Sequence, residues 1–289
     1  MRPILYAFFF LVLFIACDEK GSQDSSLEAE NDRLKNKIIE LENRIRLSDN
    51  PQVSLANTAV EKLTSTFNEQ EYQIKISYPK SYFANQKKRF PVLYVLDAET
   101  NFGGVSYIVQ RLIKDKLIPE ILVVGIAYNT DYRNFYRLRS RDLTPVEDKD
   151  LRMGKNIDPT GGAPEFSAFL EFELFPFIDK QYRTQKEDRA IYGHSYGGLF
   201  GAYVLLEKPQ LFNRYLLLGP SLWYKEKLLV NQVASMSLSF DKDTKLYMGS
   251  GEFDLRINDY QQEFVALLRE KNLPKLAIDS EVVDNETDR

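Results

Sequence analysis

The sequence predicts an α/β fold in which helices cover both faces of a mostly parallel central sheet. Within residues 52–289, short apolar runs of strand length alternate with segments whose apolar residues recur at helical spacing. Two of the runs, residues 91–96 and 121–127, are continuous, as is typical of strands buried on both faces. A third run leads through a glycine-rich turn at residues 193–198 into a helix rich in small residues. This alternation has no internal repeat, and it favours one doubly covered sheet.

The composition excludes several classes of protein. The 289 residues include 38 Lys and Arg against 42 Asp and Glu, a formal net charge of -4, and 44% are hydrophobic. That balance fits neither a disordered chain nor a basic nucleic-acid-binding protein. The single cysteine excludes an intramolecular disulfide framework, and the single histidine, His194, excludes a clustered His metal site. We expect no metal, nucleotide or redox cofactor, because the sequence also has no phosphate-cradling glycine loop.

The N-terminus predicts an exported, lipid-anchored protein. Residues 4–16 form an apolar run behind Arg2 that is too short to span a bilayer and has the length of a signal peptide. The stretch Phe14-Ile15-Ala16-Cys17 resembles a bacterial lipoprotein box. This resemblance implies a signal peptide over residues 1–16, lipidation of Cys17 and a location at the cell envelope, facing the periplasm or the cell surface. The alternative is an ordinary signal peptide or N-terminal anchor with an incidental cysteine.

Residues 17–50 are predicted to be a tether that contains a coiled-coil helix over residues 27–48. Apolar residues and one asparagine follow a heptad spacing: Leu27, Asn31, Leu34, Ile38, Leu41 and Ile45. About three heptads are near the minimum for a short parallel coiled coil, in which a seam asparagine helps to fix the register. Such pairing would make the protein a homo-oligomer; the alternative is one solvated helix that acts as a spacer. Residues 49–51, Asp-Asn-Pro, then end the helix.

The globular part begins at residue 51. Apolar residues alternate with polar ones over residues 72–78, which predicts an antiparallel edge strand. Helical spacing predicts an amphipathic helix over residues 166–178, with Pro176 bending its last turn. Residues 257–271 show the same helical period, and residues 276–283 are the predicted final strand.

The turn at residues 193–198 predicts a serine nucleophile. Its sequence is GxSxGG, placed between a strand and a helix. In a nucleophile elbow the residues beside the serine must be small, and Gly193 and Gly197 meet this need. The arrangement would expose the Ser195 hydroxyl and aim the Tyr196 amide, near a helix N-terminus, at a developing oxyanion. The alternative is a structural serine at a helix start.

Over roughly residues 60–285 the chain resembles the esterase D-like branch of the α/β-hydrolases, which includes siderophore-ester hydrolases, feruloyl esterases and S-formylglutathione hydrolases. The matching stretches are Phe90-Pro-Val-Leu-Tyr-Val-Leu-Asp-Ala-Glu, Val123-Val-Gly-Ile, Arg141-Asp-Leu-Thr-Pro, Gly161-Gly-Ala, Tyr192-Gly-His-Ser-Tyr-Gly-Gly and Gly219-Pro-Ser-Leu-Trp-Tyr. The resemblance implies an α/β-hydrolase fold over residues 51–289 and a serine carboxylic-ester hydrolase.

The resemblance also implies the other catalytic groups. The stretch after residues 92–96 matches the loop that gives the second oxyanion donor, which we assign to the Ala98 amide. Counting from Gly251, Asp254 matches the acid of the family, with Glu252 as the alternate, although either could be an ordinary surface carboxylate.

The catalytic histidine of the family is expected on the loop after the last strand. Asp288 stands there instead, and the helix that usually follows is absent. A solvated carboxylate has a pKa of about 4, far from the value that efficient base catalysis needs. His194 is a poor substitute, because a neighbour of the elbow serine points its side chain away. Two explanations remain: a truncated or frame-altered esterase, favoured by the joint loss of histidine and helix, or a pseudo-hydrolase that binds an ester-like ligand or scaffolds at the envelope. We expect an esterase that is impaired in this form.

An aromatic and arginine-rich stretch over residues 128–144 could wall a substrate pocket. The candidate substrate-binding residues are Arg133, Tyr136, Arg141 and, from a later stretch, Trp223. Arginines and aromatic rings suit a small aromatic or anionic ester, such as a catecholate or hydroxycinnamate ester. The alternative is a structural role, with Asp131 and Asp142 pairing with the arginines.

Overall fold

The structure is a computed structural model, and it describes residues 24–48, 54–150, 152–153, 156–157 and 159–286. The predicted signal peptide, Cys17, the predicted helix end at residues 49–51 and Asp288 lie outside the described residues. The chain divides into two compact units, with the boundary between Ser54 and Leu55. Within the described parts of the chain, no helix combines the length and the apolar character needed to cross a membrane.

The described residues of the first unit include a helix, α1, over Asp24–Ser48. It includes the whole of the helix predicted at residues 27–48. The side chains of residues 29–42 are all exposed, including the apolar residues Leu34 and Ile38, each 54% exposed. The helix is therefore as predicted, while its pairing with another helix stays a prediction.

The described strands of the second unit are β1 Thr58–Thr64, β2 Glu71–Ser77, β3 Phe90–Val95, β4 Leu122–Ala127, β5 Arg152–Met153, β6 Asn156–Ile157, β7 Thr184–His194, β8 Arg214–Leu218, β9 Thr244–Gly251 and β10 Leu276–Val283. Eight of them form one sheet with the order β1-β2-β4-β3-β7-β8-β9-β10. The pairs β1–β2 and β2–β4 are antiparallel, and the remaining pairs are parallel. The short strands β5 and β6 pair separately. The predicted α/β fold with a mostly parallel sheet is confirmed.

The described residues of this unit form seven α-helices. They are α2 Phe102–Lys114, α3 Tyr132–Leu143, α4 Ala163–Phe169, α5 Phe175–Gln181, α6 Tyr196–Glu207, α7 Tyr224–Ser235 and α8 Leu255–Glu270. Successive residues of β3 point to opposite faces of the sheet. Leu93 and Val95 pack in a cluster with Phe102 and Val109 of α2, whereas Tyr94 packs in the larger core that contains α4 and α6. The sheet is thus covered on both faces.

One strand lies in a different place from the one predicted. The alternating residues 72–78 form β2, which is antiparallel but sits between β1 and β4 instead of at the edge. Tyr72, Ile74 and Ile76 are fully buried. The edge strand is β1, whose mixed sequence TAVEKLT leaves most of its residues exposed. The alternation identified the antiparallel pairing but could not show that a second, more polar strand precedes it.

The helix predicted at residues 166–178 is irregular, but at a different place from the one predicted. A π-helical turn over Leu170–Leu174 joins α4 to α5, and the Phe175 amide donates to the Leu170 carbonyl. Pro176 follows directly. Proline cannot donate a backbone hydrogen bond and its ring crowds the preceding turn, so widening that turn accommodates it. The irregularity therefore lies before the proline, whereas the sequence predicts a bend in the last turn of the helix.

Candidate active site

Ser195 occupies a strained turn between β7 and α6. Its φ is 57° and its ψ is -115°, a conformation that non-glycine residues rarely adopt. Its amide donates to the Leu218 carbonyl at the end of β8, 3.0 Å away, and its carbonyl accepts from the Leu199 amide in the first turn of α6, 2.9 Å away. These bonds hold the turn at the carboxyl edge of the parallel sheet. This is the geometry of a nucleophile elbow.

The strand and the helix approach each other most closely at Gly193. A Cβ atom on this residue would lie 2.2 Å from the Gly197 carbonyl oxygen, so any side chain would force the backbone to shift. The second close approach is at Gly198, where a Cβ would lie 2.9 Å from Pro220 Cα. At Gly197 a Cβ would meet only ordinary contacts, the nearest 3.4 Å away. The prediction that Gly197 must be small was therefore wrong, because its neighbour Gly198 makes the tight contact.

A second serine lies against the first. The Oγ atoms of Ser195 and Ser221 are 3.3 Å apart, and the Ser221 amide donates to the Ser195 carbonyl at 3.1 Å. Ser221 follows β8, the neighbour of β7, and is almost completely buried. Sequence analysis gave Ser221 no role. Its only signal was its place in the stretch Gly219-Pro-Ser-Leu-Trp-Tyr, directly after a strand.

The two residues predicted to supply oxyanion donors lie in different surroundings. Tyr196 is the first residue of α6, so its amide lies at a helix N-terminus, where the backbone favours negative charge. The Ala98 amide, in contrast, donates to the Ile126 carbonyl at 3.1 Å. Ala98 is thus a wrong assignment, because that bond commits its only amide hydrogen to β4. The adjacent Asp97 amide has no acceptor among the described residues, and Asp97 has a φ of 51°.

Asp97 is fixed by a buried ion pair with Arg139 of α3. The guanidinium donates from Nε to Oδ1 at 2.9 Å and from a terminal nitrogen to Oδ2 at 2.8 Å, and both side chains are buried. Burial lowers the pKa of the Arg139 guanidinium, but the charge and hydrogen bonds of Asp97 outweigh it and raise that pKa. The guanidinium carbon also lies 5.2 Å from the centroid of the Tyr196 ring. One arginine therefore links the loop after β3 to the serine turn.

The predicted acids lie on the loop after β9. Asp254 immediately precedes α8 and is half-buried, whereas Glu252 is exposed. Asp254 and Trp223 line the same cleft, which has a volume of about 410 Å³ and includes residues 253–257. The Trp223 ring is 6.1 Å from the Tyr196 ring, so one wall of this cleft adjoins the serine turn.

The loop after β10 is attached to the same acidic loop. The Glu252 amide donates to the Val283 carbonyl and the Phe253 amide donates to the Glu286 carbonyl, each at 3.0 Å. The Glu252 carboxylate also accepts from the Asn285 amide at 2.9 Å. Asp288, assigned to the base position, lies outside the described residues. His194 is the last residue of β7, half-buried and paired in register with Leu218.

Of the predicted substrate residues, Arg141 forms an ion pair with Asp142. Its guanidinium donates to the buried Asp142 carboxylate at 2.6 and 3.1 Å, which is the pairing left open above. Asp131 instead caps α3 by accepting from the Asn134 amide at 3.0 Å. Arg133 is exposed near the start of α3. Tyr136 is half-buried, and its hydrogen bond with Tyr132, at 3.1 Å, raises the pKa of its hydroxyl.

Comparison with known proteins agrees with this geometry. The profile of a family described as "Putative esterase" matches residues 65–283. Ferri-bacillibactin esterase BesA of Bacillus subtilis is 32% identical over 238 residues, which cover 76% of this chain and 81% of the relative. The siderophore enterobactin esterase of Emericella nidulans is 29% identical, over 56% of this chain and 57% of the relative.

Solved structures give the same result. The BES protein of Bacillus cereus has a TM-score of 0.69 and 27% identity, over 83% of this chain and 93% of that protein. An IroE-like serine hydrolase of Shewanella oneidensis has a TM-score of 0.70 and 28% identity, over 80% of this chain and 75% of that protein.

Proposed function

We propose that this chain, which belongs to the family described as "Putative esterase", hydrolyses carboxylic esters of the siderophore class with Ser195 as its nucleophile. The relatives named above include esterases of ferri-bacillibactin and enterobactin. The observation that carries the proposal is the conformation of Ser195, with its φ of 57° at the end of a central strand. A serine that only began a helix would have no need of this strain.

The turn supports an acyl-transfer mechanism. The Ser195 Oγ atom would attack the ester carbonyl, and the resulting oxyanion would accept hydrogen bonds from the amides of Tyr196 and Asp97. The carbon–oxygen ester bond then breaks, the alcohol leaves with a proton, and water hydrolyses the acyl-serine. The Asp97–Arg139 ion pair holds the loop that carries the second amide.

The chain departs from the pattern of the family at the general base. The 289 residues contain one histidine, His194, in the strand that leads into the turn, and the resemblance leaves Asp288 at the base position. A carboxylate with a pKa of about 4 takes the serine proton poorly at neutral pH. We therefore propose slow turnover for these 289 residues. The second candidate is a pseudo-hydrolase that binds an ester-like ligand or scaffolds at the envelope. It is favoured by the same observation, that the sequence has Asp288 instead of a histidine at the base position.

The proposed substrate class is supported by the substrates in the names of the relatives and by the side chains of α3. Arg133 and Tyr136 would offer a charge and a ring to a small aromatic or anionic ester. Trp223 would line the pocket on the side of Asp254. We would test enterobactin first, because the relative from Emericella nidulans is named a siderophore enterobactin esterase.

The location is part of the proposal. Lipidation of Cys17 would tether the esterase to the bacterial envelope, and two or more acyl chains would make the attachment stable. Incorporation of labelled palmitate into the full chain, and its loss in Cys17→Ala, would test this step. Equal labelling of both proteins would contradict it.

The function is tested by intact-mass spectrometry of residues 18–289 after exposure to a p-nitrophenyl acyl ester, with nitrophenol release followed in parallel. We expect an acyl adduct that is absent from Ser195→Ala, with slow release. Turnover that continues in Ser195→Ala would exclude the proposed nucleophile. A folded protein that forms no adduct but binds enterobactin would support the pseudo-hydrolase.

A further inference from the structure

Helix α1 presents a complete two-stranded coiled-coil pattern. If Leu34 is given heptad position d, then the d positions are all leucine and the a positions are Asn31, Ile38 and Ile45. Isoleucine at a with leucine at d favours two strands, and one asparagine at a specifies the register at a cost in stability. The residues of this pattern lie within one helix of 25 residues, Asp24–Ser48.

The flanking charges define the orientation of the partner. In a parallel pair, each g residue faces the following e residue of the other helix. This places Glu30 opposite Lys35 of the second copy and Lys37 opposite Glu42 of the second copy. Both contacts join opposite charges. In an antiparallel pair g faces g, and Asn31 would lie against apolar d residues with its amide unsatisfied.

The described side chains at the a and d positions of α1 are exposed. Leu34, Ile38 and Leu41 are 54%, 54% and 45% exposed, although they form one apolar stripe. Lys35 and Lys37 make ion pairs within the helix, with Asp32 at 3.4 Å and with Glu40 at 2.9 Å. Such exposed pairs contribute little, so both lysines can be shared with a partner helix.

We propose that α1 pairs with α1 of a second copy in a parallel, in-register, two-stranded coiled coil, so that the protein is a dimer. This inference goes beyond the ester hydrolysis proposed above and does not depend on it. About three heptads give a marginal coiled coil. Attachment of both chains to one membrane would raise their effective concentration and favour the pair.

Disulfide trapping in whole cells tests the geometry on the full chain. We expect Leu34→Cys and Leu41→Cys, each at a d position, to give a product of twice the monomer mass on oxidation. The matched control is Asn36→Cys, at the outward f position of the same turn, which we expect to stay at the background of the wild-type chain with its single Cys17. An antiparallel pair could trap at most one of the two d positions. Trapping at neither d position, or equally at Asn36, would overturn the proposal.

Charge reversal tests the partner contacts in the Leu34→Cys background. Lys35→Glu places two glutamates opposite each other, and we expect several-fold less trapped dimer. Adding Glu30→Lys restores opposite charges, so the yield should recover. If Lys35→Glu has no effect, or if the second change fails to restore the yield, the parallel register is wrong. Because the readout is a covalent dimer, an inactive esterase would not affect either result.

Discussion

The hydroxyl oxygens of Ser195 and Ser221 lie 3.3 Å apart, although the residues are 26 positions apart in the chain. Strands β7 and β8 are parallel neighbours, so the loops that follow them meet at the same edge of the sheet. The Ser221 amide also donates to the Ser195 carbonyl. Ser221 therefore contacts both the backbone and the side chain of the proposed nucleophile.

Ser221→Ala should slow acylation without unfolding the protein. A neutral hydrogen bond contributes about 0.5–1.5 kcal/mol, so we expect a decrease of about 2- to 10-fold in the rate of acyl-adduct formation. The control is Ser106→Ala, which removes a buried hydroxyl that has no partner among the described residues and lies on α2. Equal rates in Ser221→Ala and the wild type would show that the serine pair is incidental.

The close approach at Gly193 predicts a large loss of stability in Gly193→Ala. The new methyl group would overlap the Gly197 carbonyl oxygen, and we expect the free energy of unfolding to fall by about 1–3 kcal/mol, measured by urea denaturation. Gly104→Ala is the matched control, because a Cβ there meets nothing within 4 Å in α2. Alanine should stabilise that helix by about 0.5–1 kcal/mol. Similar unfolding midpoints for the two variants would contradict the described turn.

Sequence patterns predicted the parts of this fold that depend on local periodicity. The continuous runs at residues 91–96 and 121–127 became β3 and β4, and the final strand has the predicted bounds, Leu276–Val283. The strand, turn and helix around Ser195 were also predicted, because GxSxGG requires close backbones at a fixed position.

Contacts between distant residues could not be predicted in this way. Asp97 and Arg139 are 42 positions apart, and nothing in either local sequence identifies the ion pair. The Ala98 amide was misassigned because its hydrogen bond to Ile126 depends on the packing of the loop beside β4. Residue type and order gave the candidates, but the tertiary hydrogen bonds selected among them.

Asp142 should make the stability of the protein fall as the pH rises. Burial raises the pKa of this carboxyl above its ordinary value, despite its bonds with Arg141 and Tyr72. The folded state therefore binds the proton more tightly than the unfolded state. The stabilisation of the folded state that Asp142 contributes is therefore lost as the pH rises from about 4, the ordinary pKa of an aspartate, through the raised pKa of Asp142 in the folded protein. Free energies of unfolding across this range should show that loss in the wild type and not in Asp142→Asn.

Asp131→Asn provides a control of opposite sign. The hydrogen bond from the Asn134 amide lowers the pKa of Asp131, so its contribution is present above the unfolded-state pKa and is lost as the pH falls. The two variants should change the pH dependence in opposite directions. A wild-type profile that is unchanged in Asp142→Asn would contradict the direction of the shift at Asp142.

Asp288→His should increase esterase turnover. The resemblance places the general base at position 288, and the described chain before it is bound to the acidic loop, because the Phe253 amide donates to the Glu286 carbonyl at 3.0 Å. A histidine has a pKa near neutral pH, and a positioned general base contributes about 10²- to 10⁴-fold. We expect a rise of at least about 10²-fold in steady-state nitrophenol release, which Ser195→Ala should abolish.

The same background separates the two candidate acids. If Asp254 orients the new histidine, Asp288→His with Asp254→Asn should lose most of the gain, since the acid fixes the tautomer and stabilises the imidazolium. Asp288→His with Glu252→Gln should keep it, because the Glu252 carboxylate is exposed and accepts the Asn285 amide. Loss of the gain in the Glu252 variant alone would reverse the assignment. Loss in neither would mean that position 288 does not reach the acid, and that the base must come from elsewhere.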